Sequence, residues 1–253
     1  MVIERDFSSI RVIILNHENK HNPFSESLEN SIKKSLIKAD QDDNVKAIVV
    51  YGGENRSFSS GGDFNEVKNL SGENVERWID RVIDLYCAVL NVNKPTVAAV
   101  DGYAVGMGFQ FALMFDQRII SSEAKFIMPE LKHGIGCSVG AAILSFTHGH
   151  NIMRKIVFEC EELSSEMCIK YNIANQVIDK EILLETAIER ANLLAKYPKT
   201  AYSNTKKFMN KKFVDILEDS RKESKLVHKN SFGSRDSQKH FKKVLGDKYY
   251  EDN

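Results

Sequence analysis

A chain of 253 residues can form one large domain or two small ones and can bury a substantial core. Its 35 acidic and 35 basic side chains cancel, so no bulk field draws it toward nucleic acid or an anionic membrane. Four cysteines, Cys87, Cys137, Cys160 and Cys168, lack CxxC spacing, which argues against a zinc site or a disulfide framework and fits a reducing cytoplasm.

The N-terminal MVIERDFSSI carries no apolar h-region, and no apolar stretch approaches the length of a membrane span, so a soluble, intracellular protein is expected. Residues 10–15 (IRVIIL), 47–51 (AIVVY) and 96–100 (TVAAV) are short, continuously apolar runs that predict strands buried on both faces. Between them, Leu28, Ile32 and Leu36 recur every four residues after Pro23. Val75, Ile79, Val82 and Tyr86 mark a second helix over 73–90. Strands alternating with helices imply α/β architecture. From about residue 180 the pattern becomes helical, with helices expected over 181–196, 199–210 and 213–230 and Pro198 punctuating the first join. The expected organisation is an α/β core over 1–180 and a helical region over 181–253, with no internal repeat and no low-complexity linker.

Two glycine loops follow buried strands: RSFSSGGDF (56–64) after Tyr51, and DGYAVGMGF (101–109) after Val100. Ligands sit beyond strand ends in α/β proteins, and glycine lets backbone approach a ligand closely. Neither loop is a phosphate cradle: GxxxxGK[ST] is absent, and GxGxxG fails because Phe111 stands where the third glycine belongs. A third element, MPELKHGIGCSVGAA (128–142), sets Glu130 among Ile127, Met128 and Leu131. Two peptide N–H groups converging on one oxygen beside a carboxylate would make an oxyanion hole with an acid/base group.

In order, NPFS, FSSGGDF, NKPTVAAVDGYAVGMGF and MPELKHGIG resemble the crotonase (enoyl-CoA hydratase/isomerase) superfamily. KHNPFS, YGGENRSFSSGGDFNEVK and the KHFKKVLGDKY tail resemble, within it, the subgroup that makes carboxymethylproline in carbapenem biosynthesis. The resemblance implies a ClpP/crotonase-like spiral of ββα units whose helical C-terminal region serves trimerisation and covers the active site. It implies a homotrimer, paired in some members into a hexamer, with coenzyme A thioesters as substrates and no metal or permanently bound cofactor.

Carried onto this chain, the oxyanion donors would be the N–H groups of Gly62 and Met107, the latter opening a helix whose positive end favours an anion. Hydratases of the superfamily use two glutamates. Here one matches Glu130, while the other position holds Gln110, an amide that exchanges no proton near neutral pH. Two-carboxylate hydration is therefore disfavoured. Decarboxylation of malonyl-CoA needs no proton abstraction and leaves an enolate that attacks C5 of pyrroline-5-carboxylate, the cyclic form of glutamate semialdehyde. Hydrolysis of the thioester, with Glu130 as base or nucleophile, would then release carboxymethylproline and coenzyme A.

The malonyl-CoA site is expected to include Ser60, Gly61, Asp63, Phe64, Trp78, Ile79, Gly108, Phe109, Gln110 and Phe111 besides the two donors, although a lone tryptophan at helical spacing is more often core. His228 and Gln110, and less so His133, are candidates for the amino-acid substrate's carboxylate. Gln110 is equally readable as a vacated catalytic position that fills space. Lys206, Lys207 and Lys211 are candidates for the coenzyme A phosphates against a default of solvated lysines, and Cys137 reads as a small buried residue. A one-glutamate isomerase and an inert acyl-CoA-binding homologue are the competing readings.

Overall fold

The three apolar runs form the middle of one sheet. The computed structural model describes residues 1–70 and 73–250. In chain order the elements are β1 (Val2–Phe7), β2 (Ile10–Leu15), α1 (Glu26–Gln41), β3 (Ala47–Tyr51), α2 (Phe64–Val67), α3 (Glu73–Leu90), β4 (Thr96–Val100), β5 (Tyr103–Val105) and α4 (Met107–Ala112). Then come β6 (Gln117–Ser121), β7 (Lys125–Ile127), α5 (Ser138–His148), α6 (His150–Glu159), α7 (Ser165–Lys170), β8 (Gln176–Ile178), α8 (Leu183–Leu194), α9 (Lys199–Phe232) and α10 (Arg235–Leu245). Six strands pair in the order β1-β2-β3-β4-β6-β8, all parallel except the edge strand β1, which is antiparallel to β2.

Side chains alternate across a strand, so each apolar run feeds two cores. Ile13, Leu15, Ile48, Val50, Ala98 and Val100 pack into the larger core with α1 and α3. Ile10, Val12, Ala47, Val49, Val97 and Ala99 pack on the other face against Leu183, Ala187 and Ala191 of α8. Burial on both faces is why these runs lack a polar period.

A second sheet pairs β5 with β7, and Ser59 bridges to Ala104 while Phe24 bridges to Gly62. The Ser59 N–H donates to the Tyr103 carbonyl and the Val105 N–H to the Ser59 carbonyl, both at 3.0 Å. These bonds hold the two glycine turns side by side.

The expected helices over 199–210 and 213–230 are one helix, α9. Nothing between 210 and 213 breaks it, and both halves are anchored: Asn210 Nδ2 donates to the Leu90 carbonyl at 2.8 Å, while Phe213 and Leu217 are buried.

Of the lysines expected to meet coenzyme A phosphates, Lys206 does other work. Lys206 is 5% exposed, and its Nζ donates to Asp116 Oδ2 at 2.8 Å, the Lys94 carbonyl at 3.0 Å and Thr96 Oγ1 at 3.2 Å, pinning α9 to the start of β4. Lys207 and Lys211 lie beside Leu90 and Asn91, away from the cavity described below. Breaking a buried pair strands its partner's charge, so Lys206→Met is expected to cost about 3 kcal/mol in urea unfolding. The KM for an acyl-CoA thioester should stay unchanged; a raised KM at unaltered stability would return Lys206 to the ligand.

Candidate active site

A cavity of about 310 Å³ opens where the two glycine turns, α3, the 128–140 segment and the C-terminal helices meet. Of the expected site residues, Ser60, Gly61, Gly62, Phe64, Trp78, Ile79, Met107, Gln110, Glu130 and His228 all line it, as do His133 and Cys137. Neither the Gly62 nor the Met107 N–H donates to another group among the described residues. Met107 is the first residue of α4, so its N–H has no intrahelical acceptor. A Cβ built on Gly62 would lie 3.4 Å from Met107 Sδ, which shows how closely the two turns approach.

Four expected residues do not line the cavity. Met107 and Gln110 line the cavity from α4, while Phe109 packs on Phe126 and Phe111 on Phe24, Phe58 and Phe115 in the core, both fully buried. Gly108 packs on the neighbouring turn: a Cβ there would sit 2.5 Å from the Ser59 carbonyl oxygen, so only glycine lets the turns abut. Asp63 caps α2 by accepting from the Asn65 N–H at 2.9 Å.

Gln110 is held at both ends. Tyr86 donates its hydroxyl to Gln110 Oε1 at 3.0 Å, and Gln110 Nε2 donates to Glu130 Oε1 at 2.9 Å. The amide is thereby held between the hydroxyl and the carboxyl. Gly106, with φ at 51°, lets the chain pass this carboxyl: a Cβ there would lie 3.3 Å from Glu130 Oε1.

Part of Glu130 is exposed, but its Oε2 is buried and without a hydrogen-bond partner. Burial pushes this carboxyl up to about 7, against the lowering effects of its own backbone N–H, Cys137 and Gln110. Burial first, then the Glu130 charge, pushes the Cys137 thiol well above its ordinary range, so it stays a thiol. Gln110→Leu removes a hydrogen bond that favours the carboxylate. We expect the Glu130 titration to move above 7 and ester-bond chemistry at pH 7 to fall about tenfold. An unmoved pH profile would leave Gln110 a space-filler.

His133 stacks on His240, with ring centroids 3.7 Å apart and planes 16° apart. Burial, His240 and Lys132 together push His133 down to about 4, so the ring is neutral near pH 7 and could meet a carboxylate only through a neutral N–H. His240, Phe232 and Val244 line the cavity and escaped the sequence reading, being dispersed over α9 and α10 without a motif. Tyr86 escaped it too, since its place on the apolar stripe of α3 hides its hydroxyl. Trp78, readable as core, is both: 8% exposed, on the cavity wall, with its Nε1 buried and unpartnered.

Among the described residues no cluster of three or more metal-ligating side chains occurs, and no helix is long and apolar enough to cross a membrane.

Comparison with known proteins fits this geometry. A carboxymethylproline synthase from Pectobacterium carotovorum subsp. carotovorum is 61% identical over 250 residues, covering 98% of this chain and all of that protein. The mitochondrial enoyl-CoA hydratase of Pongo abelii is 27% identical, over 90% of this chain and 78% of its own. Among solved structures, ThnE from S. clavuligerus superposes with a TM-score of 0.79 at 30% identity, covering 89% of this chain and all of ThnE. An enoyl-CoA hydratase/isomerase from Xanthobacter autotrophicus Py2 gives 0.88 at 24% identity, over 98% of this chain and 94% of its own, a likeness of fold. The enoyl-CoA hydratase/isomerase family model matches residues 5–250, and the chain belongs to this crotonase family.

Proposed function

We propose that the chain is a carboxymethylproline synthase that decarboxylates malonyl-CoA, condenses the enolate with pyrroline-5-carboxylate and hydrolyses the resulting thioester, an early step toward a carbapenem. The observation that carries this reading is the identity of 61% over the full length of the Pectobacterium synthase. The site supports it. Among the described residues that line it, one carries a carboxyl, Glu130, while the position of a hydratase's second acid is Gln110, whose amide is committed to Tyr86 and Glu130.

The steps follow from what each group can do. Loss of carbon dioxide leaves the electron pair on the thioester's α-carbon and oxygen. The N–H groups of Gly62 and Met107 stabilise the oxygen, as donors that need no rearrangement when charge develops. The α-carbon then bonds to the imine carbon. Glu130, with a carboxyl titrating near 7, takes a proton from the water that attacks the thioester carbonyl, and coenzyme A leaves. The chain works as a homotrimer in the cytoplasm, and light scattering should give three times the chain mass of 28.7 kDa or six times that mass.

Incubation with malonyl-CoA and pyrroline-5-carboxylate should yield carboxymethylproline and free coenzyme A by mass spectrometry. Turnover of crotonyl-CoA without condensation product would replace this reading by a one-glutamate isomerase or hydratase. Binding of coenzyme A without either turnover would make the chain an inert homologue.

A further inference from the structure

We propose that His228 receives the second substrate as a hydrogen-bond acceptor, its Nε2 taking the N–H of the protonated cyclic imine. This reverses the expectation that His228 meets that substrate's carboxylate, and it rests on the synthase reading above.

The tautomer is set by the helix. His228 Nδ1 lies 2.9 Å from the Ser224 carbonyl oxygen one turn earlier in α9. A carbonyl oxygen can only accept, so Nδ1 carries the hydrogen. In a neutral imidazole the other nitrogen then has a lone pair and no proton. Ser224 is itself fully buried and held by Ser138, whose Oγ donates to Ser224 Oγ at 2.8 Å, so this turn of α9 is fixed against α5.

The surroundings keep the ring neutral. His228 is 5% exposed and packs against Trp78, with centroids 5.7 Å apart, and Phe232, at 5.4 Å. No carboxylate among the described residues pairs with it, and burial lowers its pKa. Its two nitrogens point in nearly opposite directions. With Nδ1 turned back onto α9, Nε2 points away from that helix, and His228 lines the cavity. Nε2 has no hydrogen-bond partner among the described residues.

A lone pair facing the cavity repels a carboxylate and attracts an N–H bearing positive charge. A cyclic imine supplies that group only when protonated, which is also its electrophilic form. When the enolate carbon bonds to the imine carbon, the C=N π pair moves onto nitrogen and neutralises its charge. The nitrogen keeps its hydrogen on Nε2 throughout, so no proton need enter or leave at this atom.

The test uses His228→Phe, which keeps an aromatic ring without a lone pair, and His228→Gln, which restores an acceptor oxygen. The KM for pyrroline-5-carboxylate should rise about ten- to a hundredfold in the phenylalanine variant, the worth of a hydrogen bond to a charged group, and recover in part in the glutamine variant. As competitive inhibitors of the wild type, L-proline, with its ring NH2⁺, should bind at least tenfold tighter than tetrahydrofuran-2-carboxylate, whose ring oxygen can only accept. His228→Phe should erase that preference. Unchanged KM in the phenylalanine variant, or equal inhibition of the wild type by the two ring acids, overturns the assignment. Failure of the wild type to form any condensation product would instead sink the synthase reading, so the two failures are distinguishable.

Discussion

Met107→Pro is expected to lower malonyl-CoA turnover about a hundred- to a thousandfold, while Met107→Ala stays within a few fold of wild type. The contrast isolates one atom. Met107 is the first residue of α4, where the helix needs no N–H and proline is tolerated. Gly106 before it has φ 51° and ψ −114°, the mirror image of an extended conformation, which a glycine preceding proline can hold. Proline at 107 therefore deletes the N–H with little damage to the helix, and alanine controls for the lost thioether. Removing one donor from an oxyanion hole costs about that range in rate, because the other donor is left to hold the developing charge. Thermal unfolding of both variants checks the fold. Equal turnover by the two variants would mean that the thioester oxygen rests elsewhere.

The parts of this molecule legible in its sequence are those fixed by short-range patterns. The runs at 10–15, 47–51 and 96–100 are strands with those bounds, because burial on both faces leaves a continuous apolar signature. Helix 73–90 was equally plain from its apolar stripe. The strand β1 went unread: at the sheet edge, its VIERDF carries charges and has no buried residue. Lys206 shows the larger difficulty. In KKFMNKK it looks like one cation among four, yet its charge is neutralised by Asp116, ninety residues earlier, a pairing that no local pattern announces. Phe109 and Phe111 sit in the right motif but pack into the core, since a motif records neighbourhood along the chain and not what each side chain meets. For Gln110 the sequence showed the missing acid; that the replacement amide lies between Tyr86 and Glu130 is a tertiary fact.

Glu130→Gln should abolish release of the free acid, by roughly a hundred- to ten-thousandfold in the hydrolytic step, and should at the same time make the protein more stable at alkaline pH. Both effects have one cause. Burial raises the carboxyl from an ordinary 4.5 to about 7, so in the folded state it holds a proton that the unfolded chain has already lost. Stability therefore falls as pH rises from 4.5 to about 7 and stays lower above that. At 1.36 kcal/mol per pKa unit the loss is on the order of 3 kcal/mol, and glutamine, which cannot ionise, does not incur it. Urea unfolding at pH 8 should show the variant more stable by that order, and at pH 4 the difference should nearly vanish. Wild-type hydrolysis should rise with pH through about 7 and then level, as the base form fills. Equal stabilisation at both pH values would mean that Glu130 carries no buried charge, and a variant that still releases acid would show that another group activates the water. If both predictions hold, the fold gives up stability at one carboxyl to keep a base that works near neutrality.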